Sequence, residues 1–183
     1  MKKIKTLDLD IPDDMEHGWQ NIVDLLAQIT QVPAALIMRV HANYIEVFST
    51  SRSENNPYNK GDSETLGNGL YCETVMETQQ QLLVPNALAD PKWDNNPDIK
   101  LGLVSYCGIP LLWPNGELFG TICILDSKEN HYTSTYIKLL ESFRTSIESQ
   151  LKTLFQHAKL TQMNRDLKNR VYNRTKDLAS LNY

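Results

Sequence analysis

The chain has 183 residues, 41% of them hydrophobic, and a net charge of −4, which fits one globular domain with an appendage and excludes a disordered polymer. No apolar run approaches a membrane span, no secretory leader stands at the N-terminus, and three widely spaced cysteines (Cys72, Cys107 and Cys123, with no CxxC pair) exclude a disulfide framework and a zinc knuckle. The expectation is a reduced, cytoplasmic protein with no membrane contact. Charge is uneven: Lys159 to Tyr183 carries six Lys/Arg against two Asp/Glu, a balance of +4, which leaves −8 on the rest. A basic tail can contact nucleic acid, but these cations interleave with a heptad and have no aromatic stacking set beside them, so a solvated helix surface is expected instead.

Residues 1–13 read as an arm, in which Ile4, Leu7, Leu9 and Ile11 nearly alternate. Asp13 with Glu16 resembles a capping box after Pro12. Met15, Trp19, Ile22, Leu26 and Ile29 then mark one face of a helix from about residue 14 to 30. That stripe suits either a core or a helix–helix dimer seam. Val32-Pro33 ends it. Residues 34–40 and 43–50, rich in β-branched and aromatic side chains, predict a hairpin. Residues 51–68 are a polar loop whose charges are expected to be solvated. A helix opens near Gly69, and Leu82 to Val84 form a short strand stopped by Pro85. The polar, punctuated stretch around Trp93, Asp94, Asn95, Asn96, Pro97 and Asp98 is expected to lie over a sheet as a lid, with a turn or two of helix before Leu103.

Val104–Trp113 and Leu118–Asp126 are the clearest strand pair, joined at Pro114-Asn115-Gly116. In the second strand Phe119, Thr121, Cys123 and Leu125 alternate with Gly120, Ile122 and Ile124. Both sets are largely apolar, which predicts a central strand covered on both sides. After Asp126, Thr133 or Ser134 is a good N-cap, and no Pro or Gly follows. A helix through these 51 residues would run roughly 75 Å. Its apolar positions follow one register from Tyr136 to Ala158 and a second from Leu160 to Leu181, so a parallel coiled coil is expected, weakened at Asn164 and Arg174.

Chemical motifs are sparse. There is no phosphate-binding glycine loop, no HExxH and no GxSxG, and the four histidines lie on different elements. Asp94 and Asp98 suit the capping of turns better than paired catalysis. Cys107 and Cys123 fall on paired strands and could be neighbours; Cys72 sits near a helix N-terminus, where a thiolate is favoured. Redox chemistry competes there with the ordinary role of cysteine as a small buried hydrophobe.

Five motifs as a set resemble the GAF domain family: Gly69-Leu-Tyr-Cys-Glu-Thr-Val75, Leu83-Val-Pro-Asn-Ala-Leu-Ala-Asp90, Trp93-Asp-Asn-Asn-Pro-Asp98, Ser105-Tyr-Cys-Gly-Ile-Pro110 and Phe119-Gly-Thr-Ile-Cys-Ile-Leu-Asp126. The likeness covers roughly residues 14–155 and is to the sensors found ahead of histidine-kinase or diguanylate-cyclase domains in bacterial signalling proteins. It implies an α+β, GAF/PAS-like fold: a central antiparallel sheet of five to six strands flanked by helices, with a long C-terminal coiled-coil helix over residues 156–183. It further implies a homodimer through the first and last helices, a downstream effector domain, and a small-ligand pocket lined by Tyr71, Cys72, Trp93, Asp94, Tyr106, Cys107, Thr121 and Cys123. No catalytic residue, cofactor or metal is expected, and the ligand is unspecified. Bilin-binding relatives commonly follow their cysteine with histidine, whereas Cys107 precedes Gly108; the cyclic-nucleotide signature is also absent. The alternative function is a GAF-fold thiol enzyme such as a free methionine sulfoxide reductase.

Overall fold

The computed structural model describes residues 5–180. Alternating strands assemble into a six-stranded antiparallel sheet of order β3-β2-β1-β6-β5-β4, with β1 Ala34–Val40, β2 Tyr44–Thr50, β3 Ser63–Thr65, β4 Leu82–Val84, β5 Ser105–Leu112 and β6 Leu118–Asp126. The helices are α1 Asp13–Thr30, α2 Tyr71–Thr78, α3 Pro97–Lys100 and α4 Ser134–Ser180. Strands β1, β5 and β6 are central and apolar on both faces, as the sequence of β6 predicts. Three-residue β3 is too short and polar to be read from sequence; its pairing with Tyr44–Glu46 makes it a strand.

Two cores lie on opposite faces of the sheet. On one, α1 and α4 cover Ile37, Cys107, Ile109, Leu111, Ile122 and Ile124. Trp19, fully buried, stands edge-on to Phe48 at 5.4 Å and to Phe119 at 5.3 Å, a geometry that aligns ring edges with ring faces. Its indole N–H donates to Gln150 Oε1 at 2.6 Å and ties α1 to α4. On the other face, α2 and the lid cover Leu36, Val47, Tyr106, Cys123 and Leu125.

Strict alternation would put Phe119 on the lid face with Thr121. The structure puts it among the helix-side rings, because the β5–β6 ladder slips between Leu111 and Leu112, leaving Phe119 as an extra residue. Such a bulge reverses side-chain parity locally. Next to it, a Cβ on Gly120 would lie 1.7 Å from the Met38 carbonyl oxygen, so only glycine permits this approach of β6 to β1.

The helix termini depart from the sequence reading in detail. Pro12, not Asp13, precedes the first turn of α1, and its carbonyl accepts from Glu16 N–H. The buried stripe of α1 is Trp19, Val23, Leu26, Ala27 and Thr30, whereas Ile29 is 44% exposed. The expected stripe therefore sits partly off the core, and Leu25 and Ile29 face outward. At α4, Thr133 does cap: its Oγ1 accepts from Tyr136 N–H. Leu140, Ile147 and Leu151 anchor α4 on the sheet, and from Leu160 to Leu178 its large apolar side chains are exposed. The arm is held at the hairpin end, where Arg39 donates to the Leu7 and Leu9 carbonyls and lies over the Phe119 ring. Ile4 and Leu181 lie outside the described residues. No helix among the described residues is long and apolar enough to cross a membrane.

Candidate functional site

The lid-side face of the sheet concentrates polar groups in an otherwise apolar interior. Its geometry begins with the loop before α2. Glu73 accepts from the N–H groups of Gly67, Asn68 and Leu70 and wraps that loop around the first turn, as an acidic residue at the third helical position does. Tyr71 and Cys72 are thereby driven down onto the sheet, buried. The lid follows as three short turns, each started by an Asn or Asp whose Oδ1 accepts a backbone N–H two residues on: Asn86 from Leu88, Asp90 from Lys92, Asn96 from Asp98. Asn96 also donates to the Gly69 carbonyl at 2.9 Å and joins the lid to the start of α2.

Beneath the lid, Tyr71 stacks on Tyr106 with ring centroids 4.9 Å apart and meets Trp93 at the same distance. Tyr106 folds flat along β5: a Cβ on Gly108 would lie 2.0 Å from its hydroxyl oxygen, so glycine at 108 is what admits the ring. That hydroxyl is 3.5 Å from Cys72 Sγ, and Thr121 Oγ1 donates to the same sulfur at 3.3 Å. Cys123 follows Thr121 by two residues along β6 and lies in the same core. The neighbouring Cys123 thiol first, and the Thr121 and Tyr106 hydroxyls with it, hold the Cys72 thiol below its ordinary pKa against the opposing effect of burial. Burial pushes Cys123 and Tyr106 well up.

Six of the sequence-derived positions therefore share one space: Tyr71, Cys72, Trp93, Tyr106, Thr121 and Cys123. Two do not. Asp94 is exposed, at the C-terminal end of the turn Pro91–Trp93. Cys107 pairs with Ile124 and faces the helix-side core, opposite to Cys123, which pairs with Gly108. Adjacent strands had made the two cysteines look like neighbours; a one-residue offset in register places them on opposite faces. Cys107 is pushed up to about 12 by burial alone.

The structure adds two residues that the sequence pattern had left aside. Tyr58, in the polar loop, reaches under the lid and donates its hydroxyl proton to Asp98 Oδ1 at 2.5 Å. Asp98 is only 7% exposed, and burial first of all raises its carboxyl to about 6. Among the described residues no Lys or Arg pairs with it; Glu64 adds a further raising influence. No local signal distinguishes buried Asp98 from exposed Asp94, because both lie in the same Asn/Asp/Pro-rich stretch. The Tyr71 hydroxyl completes the set: it is buried and has no hydrogen-bond partner. A native fold seldom leaves such a group orphaned. Among the described residues, no group of three or more His, Cys, Asp or Glu is placed to hold a metal ion.

The GAF domain family model matches residues 14–151. The chain belongs to the GAF domain family. Solved structures agree at the level of fold. The blue-light absorbing form of the Thermosynechococcus elongatus PixJ GAF domain aligns with TM-score 0.67 and 10% identity, covering 83% of this chain and 94% of that one. The GAF domain from Acinetobacter phosphoenolpyruvate-protein phosphotransferase aligns with TM-score 0.63 and 12% identity, over 79% and 86%. A type II free methionine-R-sulfoxide reductase from Thermoplasma acidophilum aligns with TM-score 0.61 and 13% identity, over 78% and 95%. No curated protein sequence matches the chain. GAF folds of this shape thus include a photoreceptor and an enzyme, so the chemistry of this member rests on its own lid-side residues.

Proposed function

We propose that this GAF domain is a non-catalytic sensory module that binds a small molecule under the lid and passes the change through α4 to an effector domain. The observation that carries the reading is the orphaned Tyr71 hydroxyl on the same side of the sheet as the buried carboxylate of Asp98, which among the described residues has no ion-pair partner. An unsatisfied buried donor and an uncompensated buried charge both disfavour the empty fold, and a ligand that offers a hydrogen-bond donor to Asp98 and any polar partner to Tyr71 would relieve both. The rings of Tyr71, Trp93 and Tyr106 supply apolar walls. Ligand identity is set by that donor requirement rather than by a cofactor.

Transmission is supported by the placement of α4. Its first turns sit on β5 and the far side of β6, and its distal part carries exposed Leu160, Met163, Leu167, Val171 and Leu178. A projecting helix with this seam is covered by a parallel copy, and the exposed Leu25 and Ile29 of α1 offer a separate apolar contact. Placement ahead of a histidine-kinase or diguanylate-cyclase domain and a cytoplasmic setting belong to the same proposal.

The test is a thermal-shift and tryptophan-fluorescence screen with three probe classes: small primary amines and amides, neutral polyols, and carboxylates. N–H donors are expected to raise Tm and perturb Trp93, with a stabilisation of about 2.7 kcal/mol at a hundredfold excess over Kd. Tyr71→Phe should abolish the response. A response unchanged in Tyr71→Phe would place binding elsewhere and defeat the reading.

A further inference from the structure

Cys72 and Cys123 come from elements 51 residues apart in the chain, yet they meet in the middle of the lid-side core. Thr121 and Cys123 project from the same face of β6, and Thr121 reaches the Cys72 sulfur at 3.3 Å. Gly108 stands directly opposite Cys123 on β5 and has no side chain. The Tyr106 ring lies over that gap and brings its hydroxyl to 3.5 Å from the same sulfur. Cys123, two residues beyond Thr121 on that face of β6, lies in the same core as Cys72. Cys72 is the second residue of the eight-residue helix α2, where the helix dipole adds to the same effect.

We propose that Cys72 and Cys123 form a redox-active dithiol, oxidised by a small hydroperoxide to an intramolecular disulfide that fastens α2 to β6. The inference stands on the placement of the two cysteines around Thr121 and does not require a ligand under the lid. Cys72 is the attacking group: it keeps 8% exposure while Cys123 has none, and every hydrogen bond named above favours its thiolate. In the first step the Cys72 thiolate attacks the outer peroxide oxygen. A sulfur–oxygen bond forms, the O–O bond breaks, and the leaving alkoxide or hydroxide takes up a proton as alcohol or water. In the second, the Cys123 sulfur attacks Cys72 sulfenic acid. The disulfide forms, the sulfur–oxygen bond breaks, and hydroxide leaves with the Cys123 proton as water. Two thiols lose two electrons and the peroxide gains them. Cys107, on the other face with no thiol beside it, takes no part and serves as an internal control.

The disulfide would join the helix that carries Tyr71 to the strand that ends at Asp126, just before the segment leading into α4. Oxidation therefore restrains the lid-side helix relative to the sheet.

The experiment treats the folded full chain with hydrogen peroxide, denatures it without reductant, alkylates free thiols with N-ethylmaleimide, and maps peptides by mass spectrometry. The expected result is a chain that loses two hydrogens, retains one alkylated cysteine, Cys107, and yields a Cys72–Cys123 cross-linked peptide that dithiothreitol reverses. Cys107→Ser should leave this unchanged. Cys123→Ser should stop at a Cys72 sulfenic acid that dimedone traps. Thr121→Val, which removes one donor to the attacking sulfur, should slow oxidation by about 3- to 10-fold. Three alkylated cysteines after peroxide, a bond that includes Cys107, or a bond between two chains would each overturn the proposal. Wild type and Cys107→Ser leave the thiol pair intact, so misfolding of the other variants does not shield it.

Discussion

Replacing Asp98 with asparagine tests whether the lid-side site holds an unrelieved charge. The carboxyl is raised from 3.8 to about 6, first by burial, against a lowering influence from the Tyr58 hydrogen bond. Because its folded pKa lies above the unfolded one, folding favours the protonated form. That stability is fully present below about pH 4 and is lost as pH rises through 6. Carried to neutral pH, the difference corresponds to roughly 3 kcal/mol by which the ionised carboxylate disfavours the folded state. Asp98→Asn keeps an acceptor for Tyr58 and removes the charge, but buries a new amide donor, which offsets part of the gain. The net expectation is a protein more stable by about 1–3 kcal/mol at pH 7.5, with the advantage gone at pH 4. Urea midpoints of wild type and variant at both pH values measure this, and taking their difference cancels every other titrating group. A variant that is less stable at pH 7.5, or a difference independent of pH, would refute the claim that Asp98 is an uncompensated buried charge.

Four further variants probe the site and the frame around it. Gly120→Ala places a methyl against the Met38 carbonyl, which backbone cannot yield cheaply, and should destabilise by about 3 kcal/mol or more, read from denaturant unfolding. Trp19→Ala empties the centre of the helix-side aromatic cluster and breaks the bond to Gln150; a loss of about 3–5 kcal/mol is expected in the same assay. If α4 pairs with a second copy, Leu167→Asp with Val171→Asp should yield monomers by sedimentation while leaving the melting of the sheet domain within about 0.5 kcal/mol, since both side chains are exposed. Tyr71→Phe, which deletes the orphaned hydroxyl, should raise the stability of the ligand-free protein by about 1 kcal/mol in urea titration.

The functional lesson lies in how differently the two faces of one sheet are built. The helix side is mostly ring against ring and aliphatic against aliphatic, with Gln150 and Glu148 pegging α4 to Trp19 and to Leu112 and with one buried hydroxyl pair, Ser105 and Tyr132, at its edge. On the lid side, hydroxyls, thiols and a carboxylate share the interior with three aromatic rings. Buried polar groups add nothing to a packed core that apolar groups could not supply, and their concentration around Tyr71, Cys72 and Asp98 marks where the fold gives up stability for chemistry.

Sequence by itself determined the parts that local forces decide. Alternation and β-branched content marked β1, β2 and β6; Gly116, at φ +83°, closes the β5–β6 turn that Asn115-Gly116 announced. The absence of Pro and Gly after Thr133 announced α4, and five short motifs together carried the family. Tertiary structure decided what depends on partners far along the chain. A single extra residue at Phe119 moved that ring to the other core, and strand register separated Cys107 from Cys123. The bond from Tyr58 to Asp98 spans 40 residues, and Cys72 meets Thr121 across 49. Periodicity records which way a side chain points relative to its neighbours in sequence. It carries no information about which side chain from another element arrives to meet it, and the chemistry of this domain is made of such meetings.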